Sequence, residues 1–223
     1  EFYGPSFTLS TEHTFFDVEM DMNSGETLTL TNNFTLNGDL LLTQGDFRVN
    51  DNSNTTPLDM DIAGDVKVTS NASISVGTAD AYSSGDQSGY GNYHKGFHVM
   101  RVGGSFTNNG TVRMTNLSVP DYANRATNGA VSLVMYNDAD TKLTCNNTTD
   151  LYNLVVDKGT DRTYELELYA DDKSHFALFG QNDDDWDDTE PANPENRKAL
   201  WIKDGTLRLT GNVYIPSLTE GGR

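Results

Sequence analysis

The densest chemistry in this sequence of 223 residues is the acidic run N-D-D-D-W-D-D-T-E, from Asn182 to Glu190. Asp183, Asp185 and Asp187 occupy alternate positions, the spacing that opens a Ca²⁺ loop because alternate oxygens converge on a hard cation. The match then departs from that pattern. Asp188 stands in the sixth place, where a turn-permitting Gly belongs, and Pro194 in the twelfth, with Glu195 one place late. The expectation is therefore a looser surface calcium loop of Asp183, Asp185, Asp187 and Asp188, or a solvated acidic loop, and not a helix-loop-helix site. Trp186, inside the run, anchors it or faces a ligand.

A second candidate is the Gly-, Ser- and Tyr-rich stretch 78–97, where Tyr82, Tyr90, Tyr93 and Phe97 offer an aromatic platform for a sugar ring or a partner protein. The alternative is that these rings pack over the flank of the fold. His94 and His98 lie four apart, but Gly91 and Gly96 argue against the helix that would align them, and a metal needs a third ligand and a supporting carboxylate. His13 and His175 are isolated. Glycan hydrolysis would need two carboxylates facing across a groove. Asp171 and Asp172 are adjacent in sequence, but the Gly-His-Gly and Arg-x-Lys phrases of polygalacturonases are missing, and no Arg cluster stands ready for an acidic sugar. A Thr line, Thr27, Thr29 and Thr31, suggests an ice-binding face, but Lys67, Ser75, Arg113 and Arg208 occupy the matching positions downstream. The expectation is a chain without catalytic residues.

These residues must be held by the phrases around them. From Gly25 to Val49 the chain reads as small turns followed by short alternating strands, with Leu28/Leu30, Phe34/Leu36, Leu40/Leu42 and Phe47/Val49 on one side. Gly or Asn recurs at 25, 32, 38 and 45. The phrase L-N-G-D-L-L-L from Leu36 returns as I-A-G-D-V-K-V from Ile62, as V-G-G-S-F-T-N from Val102, and as D-G-T-L-R-L from Asp204. Recurrence of this kind marks stacked coils. The fold expected is all-β, a right-handed parallel β-helix (β-solenoid) over 25–223, with long loop insertions at 78–97 and 181–198. Residues 1–24 are expected to supply entry strands or an incomplete first coil. Asn193 and Pro194 begin the one helix-like phrase. Sequons at Asn33, Asn54, Asn71, Asn109, Asn116, Asn146 and Asn147 are better explained by corners, where Asn tolerates left-handed backbone and bonds along a stack.

The formal charge of −18 and pI near 4.3 exclude nucleic acid and anionic membrane surfaces as partners. No apolar run reaches the length of a membrane span. The single cysteine, Cys145, shares the inward face with Leu143 and is read as a buried small residue. The chain begins at Glu1, carries no cap pattern at either end, and reads as a piece of a longer protein.

D-L-Y-N-L-V-V-D-K-G at 150–159, followed by K-A-L-W-I-K-D-G-T-L-R-L-T-G-N-V-Y-I-P at 198–216, resembles repeats in very large cell-surface proteins of Bacteroidetes. The resemblance is most specific over about 143–222 and brings no catalytic residues. It implies a right-handed β-helix, type IX secretion, an extracellular or cell-surface location and an adhesive or structural role. On that basis the expected partners are a surface glycan or protein and neighbouring coils of the same long chain. A glycan-active enzyme or carbohydrate-binding module, or a self-assembling filament subunit, is the alternative.

Overall fold

The computed structural model describes residues 1–51, 57–77, 98–116, 129–179 and 199–215. Its first strands are β1 (Phe2–Gly4), β2 (Phe7–Leu9) and β3 (His13–Phe15), followed by β4 (Val18–Met22), β5 (Thr27–Leu30) and β6 (Phe34–Leu36). Phe2 lies opposite Met20, Phe7 opposite Leu28 and His13 opposite Phe34, all in parallel strands. A parallel neighbour cannot be reached by a hairpin. Here the return takes 22 residues between Asp17 and Asp39, 26 between Asp39 and Asp65 and 40 between Asp65 and Ser105. Those residues include strands of the other ladders, where many parallel sheets would use a helix. Among the described residues there is no helix.

The order continues through β7 (Leu40–Val49), β8 (Asp59–Ile62), β9 (Val66–Val76), β10 (His98–Val102), β11 (Phe106–Asn108) and β12 (Thr111–Arg113). It then passes β13 (Val131–Tyr136), β14 (Thr141–Cys145), β15 (Thr149–Leu151), β16 (Asn153–Asp157) and β17 (Glu165–Ala170). The last are β18 (Ala177–Leu178), β19 (Leu200–Asp204) and β20 (Thr206–Gly211). Two ladders, β1-β4-β7-β9-β11-β14-β17-β20 and β2-β5-β7-β9-β12-β15-β18, merge through the long strands β7 and β9 into a 13-stranded sheet. The third ladder, β3-β6-β8-β10-β13-β16-β19, is a 7-stranded sheet. One strand from each ladder makes a tier. The chain is thus an all-β protein of parallel strands in two sheets. Leu200, at the end of the helix-like phrase, opens β19; Asn193 and Pro194 lie outside the described residues.

Alternation decides which side chains face inward. Leu28, Leu30, Phe34, Leu36, Leu40, Leu42, Phe47 and Val49 are all buried, as their period of two requires. Register then stacks like on like: Leu36 meets Ile62, Leu42 meets Val68, and Phe47 meets Ile74. The repeat beginning at Ile62 carries one residue more than that beginning at Leu36, and the ladder takes it up in a register shift between Leu42 and Gln44. Towards one end the interior is aromatic, with Phe2, Phe15, Phe34 and Phe47 in a chain of ring contacts at 5.6, 5.8 and 5.9 Å.

The Gly-Asp corner has a steric cause. Asp17 Oδ1 accepts the Asp39 N–H at 2.8 Å, Asp39 Oδ1 accepts that of Asp65 at 2.8 Å, and Asp65 Oδ1 accepts that of Ser105 at 2.7 Å. Each carboxylate lies where a β-carbon of the next tier's glycine would stand, within 2.0 Å at Gly38, 2.2 Å at Gly64 and 2.3 Å at Gly104. Only glycine leaves room for the aspartate below it.

Candidate functional site

The residues that the sequence marks for recognition, Tyr82, Tyr90, Tyr93, Phe97 and Trp186, lie outside the described residues, as do the calcium candidates Asp183, Asp185, Asp187 and Asp188 and the His94 of the histidine pair. Among the described residues no group of three His, Cys, Asp or Glu is placed to hold a metal ion.

The described outward faces hold three polar clusters, each spanning tiers because in-register strands bring outward residues side by side. On β14, β17 and β20, Glu167 receives Lys142 Nζ at 3.0 Å, an Arg208 terminal nitrogen at 2.7 Å and the Thr210 hydroxyl at 2.8 Å. Arg208 Nε also meets Glu165 at 2.7 Å, and Lys142 stands 4.6 Å from the centre of the Tyr169 ring. Hydrogen bonds from Thr210 and Lys142 hold the Glu167 carboxyl below its ordinary range. Around β7 and β9, Asp46 accepts the Ser73 and Ser75 hydroxyls at 2.7 and 2.6 Å and pairs with Arg48 at 3.4 Å. On the third ladder Arg101 meets Asp59 at 3.1 Å, and the Tyr136 hydroxyl donates to Asp61 at 3.1 Å. Burial and the Asp61 charge push that phenol up to about 12.

Held low by its hydrogen bonds, the Glu167 carboxylate is a poor proton donor at neutral pH. Asp171 and Asp172 do not oppose each other across a groove. Asp171 pairs with His175 at 2.6 Å, and Asp172 accepts both the amide and the hydroxyl of Ser174. The Ser174 hydroxyl therefore points to a carboxylate and not to the imidazole, which leaves no relay from serine through histidine. Asp150 is the exception in direction. Burial raises its pKa while Arg113 lowers it, and it pairs with Arg113 at 3.5 Å.

Three of the buried groups, Cys145, His98 and Lys158, have proton affinities shifted by burial. Cys145 and Leu143 are fully buried, as their shared face requires, and burial pushes the thiol up to about 12, so it is no nucleophile at neutral pH. His98 points inward from β10, and its Nδ1 accepts the Leu58 N–H at 3.0 Å, which leaves the ring proton on Nε2. Burial brings its pKa down to about 4. Lys158 is fully buried, its Nζ donating to the Tyr136 carbonyl at 2.7 Å. Burial lowers the amine to about 8, partly offset by the Asp140 and Asp138 carboxylates.

No family model matches this chain, and neither a curated protein nor a solved structure does.

Sequence reasoning missed the long-range partners. The Gly-Asp phrase was legible as a corner, but the aspartate's role as acceptor for the next tier depends on a stacking distance that no local pattern carries. Lys158 reads as an ordinary turn lysine in D-K-G. Its one sequence signal is that it follows the inward positions Leu154 and Val156 at the same period.

Proposed function

We propose that this chain is a right-handed parallel β-helix acting as a rigid, non-catalytic stalk or adhesive segment of a secreted or cell-surface protein. The observation that carries this reading is the joining of every described tier to its neighbours, inside by stacked apolar residues and outside by bridges such as Arg208–Glu167 and Arg101–Asp59. A body built this way is stabilised by nearest-neighbour contacts and conveys distance and stiffness more readily than chemistry. The right-handed sense rests on the strong general preference of parallel crossovers. Extracellular placement rests on the resemblance to Bacteroidetes surface repeats. Recognition is assigned to the segments 78–97 and 181–198, with Tyr90 and Tyr93 on a glycan or protein ligand and Asp183, Asp185 and Asp187 on Ca²⁺.

Protease treatment of intact producing cells, followed by mass spectrometry of the released peptides, tests the location. Release of peptides from this chain before lysis is expected. Recovery only after lysis would overturn the reading. Glycan retention on an array that is lost with Tyr90→Ala and Tyr93→Ala would turn it towards a carbohydrate-binding module, and glycan cleavage by the purified chain towards an enzyme.

A further inference from the structure

Two Asn-Gly pairs lie within the described residues, and they differ in how the side-chain amide and the following backbone nitrogen, the two groups that react in an attack of one on the other, are held. At Asn109–Gly110 both reacting groups are held. Asn109 Oδ1 accepts from Asn146 Nδ2 at 2.8 Å, its own N–H donates to the Val68 carbonyl at 2.8 Å, and the buried Gly110 N–H donates to Asn108 Oδ1 at 2.9 Å. At Asn37–Gly38 the asparagine is exposed and its own N–H donates to the Phe15 carbonyl at 3.0 Å, but among the described residues its side-chain amide has no partner and no acceptor takes the Gly38 N–H. Glycine is the following residue that least hinders such an attack, since it has no β-carbon.

We propose that Asn37–Gly38 is a site of spontaneous deamidation in the folded protein, while Asn109–Gly110 is protected. The Gly38 nitrogen, on losing its proton, attacks the Asn37 side-chain carbonyl carbon. The carbon–Nδ2 bond breaks, ammonia leaves with that proton, and a five-membered succinimide closes. Water opens the ring at either carbonyl, giving an aspartyl or an isoaspartyl residue at 37. One water is consumed, one ammonia is released, and no oxidant is involved.

The position gives this chemistry a structural consequence. The isoaspartyl form adds a methylene to the main chain immediately before Gly38. There the Gly38 carbonyl accepts the Gly64 N–H at 3.0 Å, the next residue donates to Asp17 at 2.8 Å, and a β-carbon would stand 2.0 Å from the Asp17 carboxylate. A corner with no slack takes an extra backbone atom and a new negative charge. The modification therefore loosens the tier that contains Asp17 from the tiers beyond it.

The test is prolonged incubation of the purified chain in mildly alkaline buffer at body temperature, with peptide mapping and isoaspartyl detection at intervals. A parallel sample is kept in denaturant. In the folded sample, conversion at Asn37 is expected to outrun that at Asn109 by roughly tenfold or more, because Asn109 must first open its hydrogen bonds. In denaturant the two rates should converge. Equal rates in the folded protein, or an Asn37 that stays intact while Asn109 converts, would overturn the proposal. Asn37→Gln should remove the folded-state product, and hydrogen exchange at the Asp39 amide should rise with conversion in the wild type and not in that variant.

Discussion

Replacing Gly64 by alanine isolates the cause of the corner ladder. The new β-carbon would stand 2.2 Å from Asp39 Oδ1 and 2.7 Å from the carbonyl carbon and oxygen of Gly38. A side chain could swing away; the Gly38 backbone cannot, because it is itself bonded to the Gly64 N–H at 3.0 Å. Accommodation requires the tiers to separate locally and the Asp39 carboxylate to release the Asp65 amide. Overpacking combined with a lost hydrogen bond to a charged group puts the destabilisation at about 3 kcal/mol. For a chain of this length that is a fall of roughly 6–12 °C in Tm. The control is Gly25→Ala, where φ is +80° and nothing lies within 4 Å, so the penalty is backbone conformation alone, about 1 kcal/mol. Thermal and urea melts of the two variants against wild type give the comparison. If Gly64→Ala is no worse than Gly25→Ala, the aspartate ladder does not select the glycine and the steric reasoning fails.

Three further outcomes follow from the buried groups. His98 binds its proton near pH 6.5 when unfolded and only near 4 when folded, so the unfolded state holds more protons between these values and stability is lost as pH falls, by about 3 kcal/mol in full. Urea midpoints at neutral and acid pH should show that slope in wild type and a shallower one in His98→Asn, whose amide oxygen can still accept the Leu58 N–H. Lys158 also has a depressed folded value, about 8 against 10.5, so stability rises as pH climbs between them, and Lys158→Met should abolish that rise in the same assay. Cys145 should react with a thiol reagent only as fast as the fold opens, and rapid labelling of the native protein would contradict its burial.

The all-β architecture of parallel strands was legible because its evidence is local and repeated. Alternation in L-T-L and F-T-L fixes which residues point inward, and the spacing of Gly and Asn fixes the corners. Asn50 and Asn137 are the two described non-glycine residues with positive φ, whereas none of the described sequon asparagines has one; of the roles expected for those, bonding along the stack is the one seen, as between Asn146 and Asn109. The four-copy alignment held less evenly. Gly38, Gly64 and Gly104 share one steric role, whereas Gly205 has φ of +91°, and a β-carbon added to it would stand 2.5 Å from Lys158 Cβ. A glycine letter does not say whether it yields to a clash or to a dihedral. Site residues were harder to read because their partners come from other tiers. His98 is defined by the Leu58 amide 40 residues away, and Glu167 by Arg208 41 residues on.

The spacing between tiers also bears on how the molecule answers a pull. The parallel pairings join segments about one tier apart, so tension applied along the stack should strip the chain one layer at a time and not rupture it in a single event. Each layer would pay out the length it stores, roughly 80 Å where the return takes 22 residues and roughly 140 Å where it takes 40. The unequal insertions thus become unequal reserves of extension, and the order of short and long releases would be a mechanical signature of this sequence.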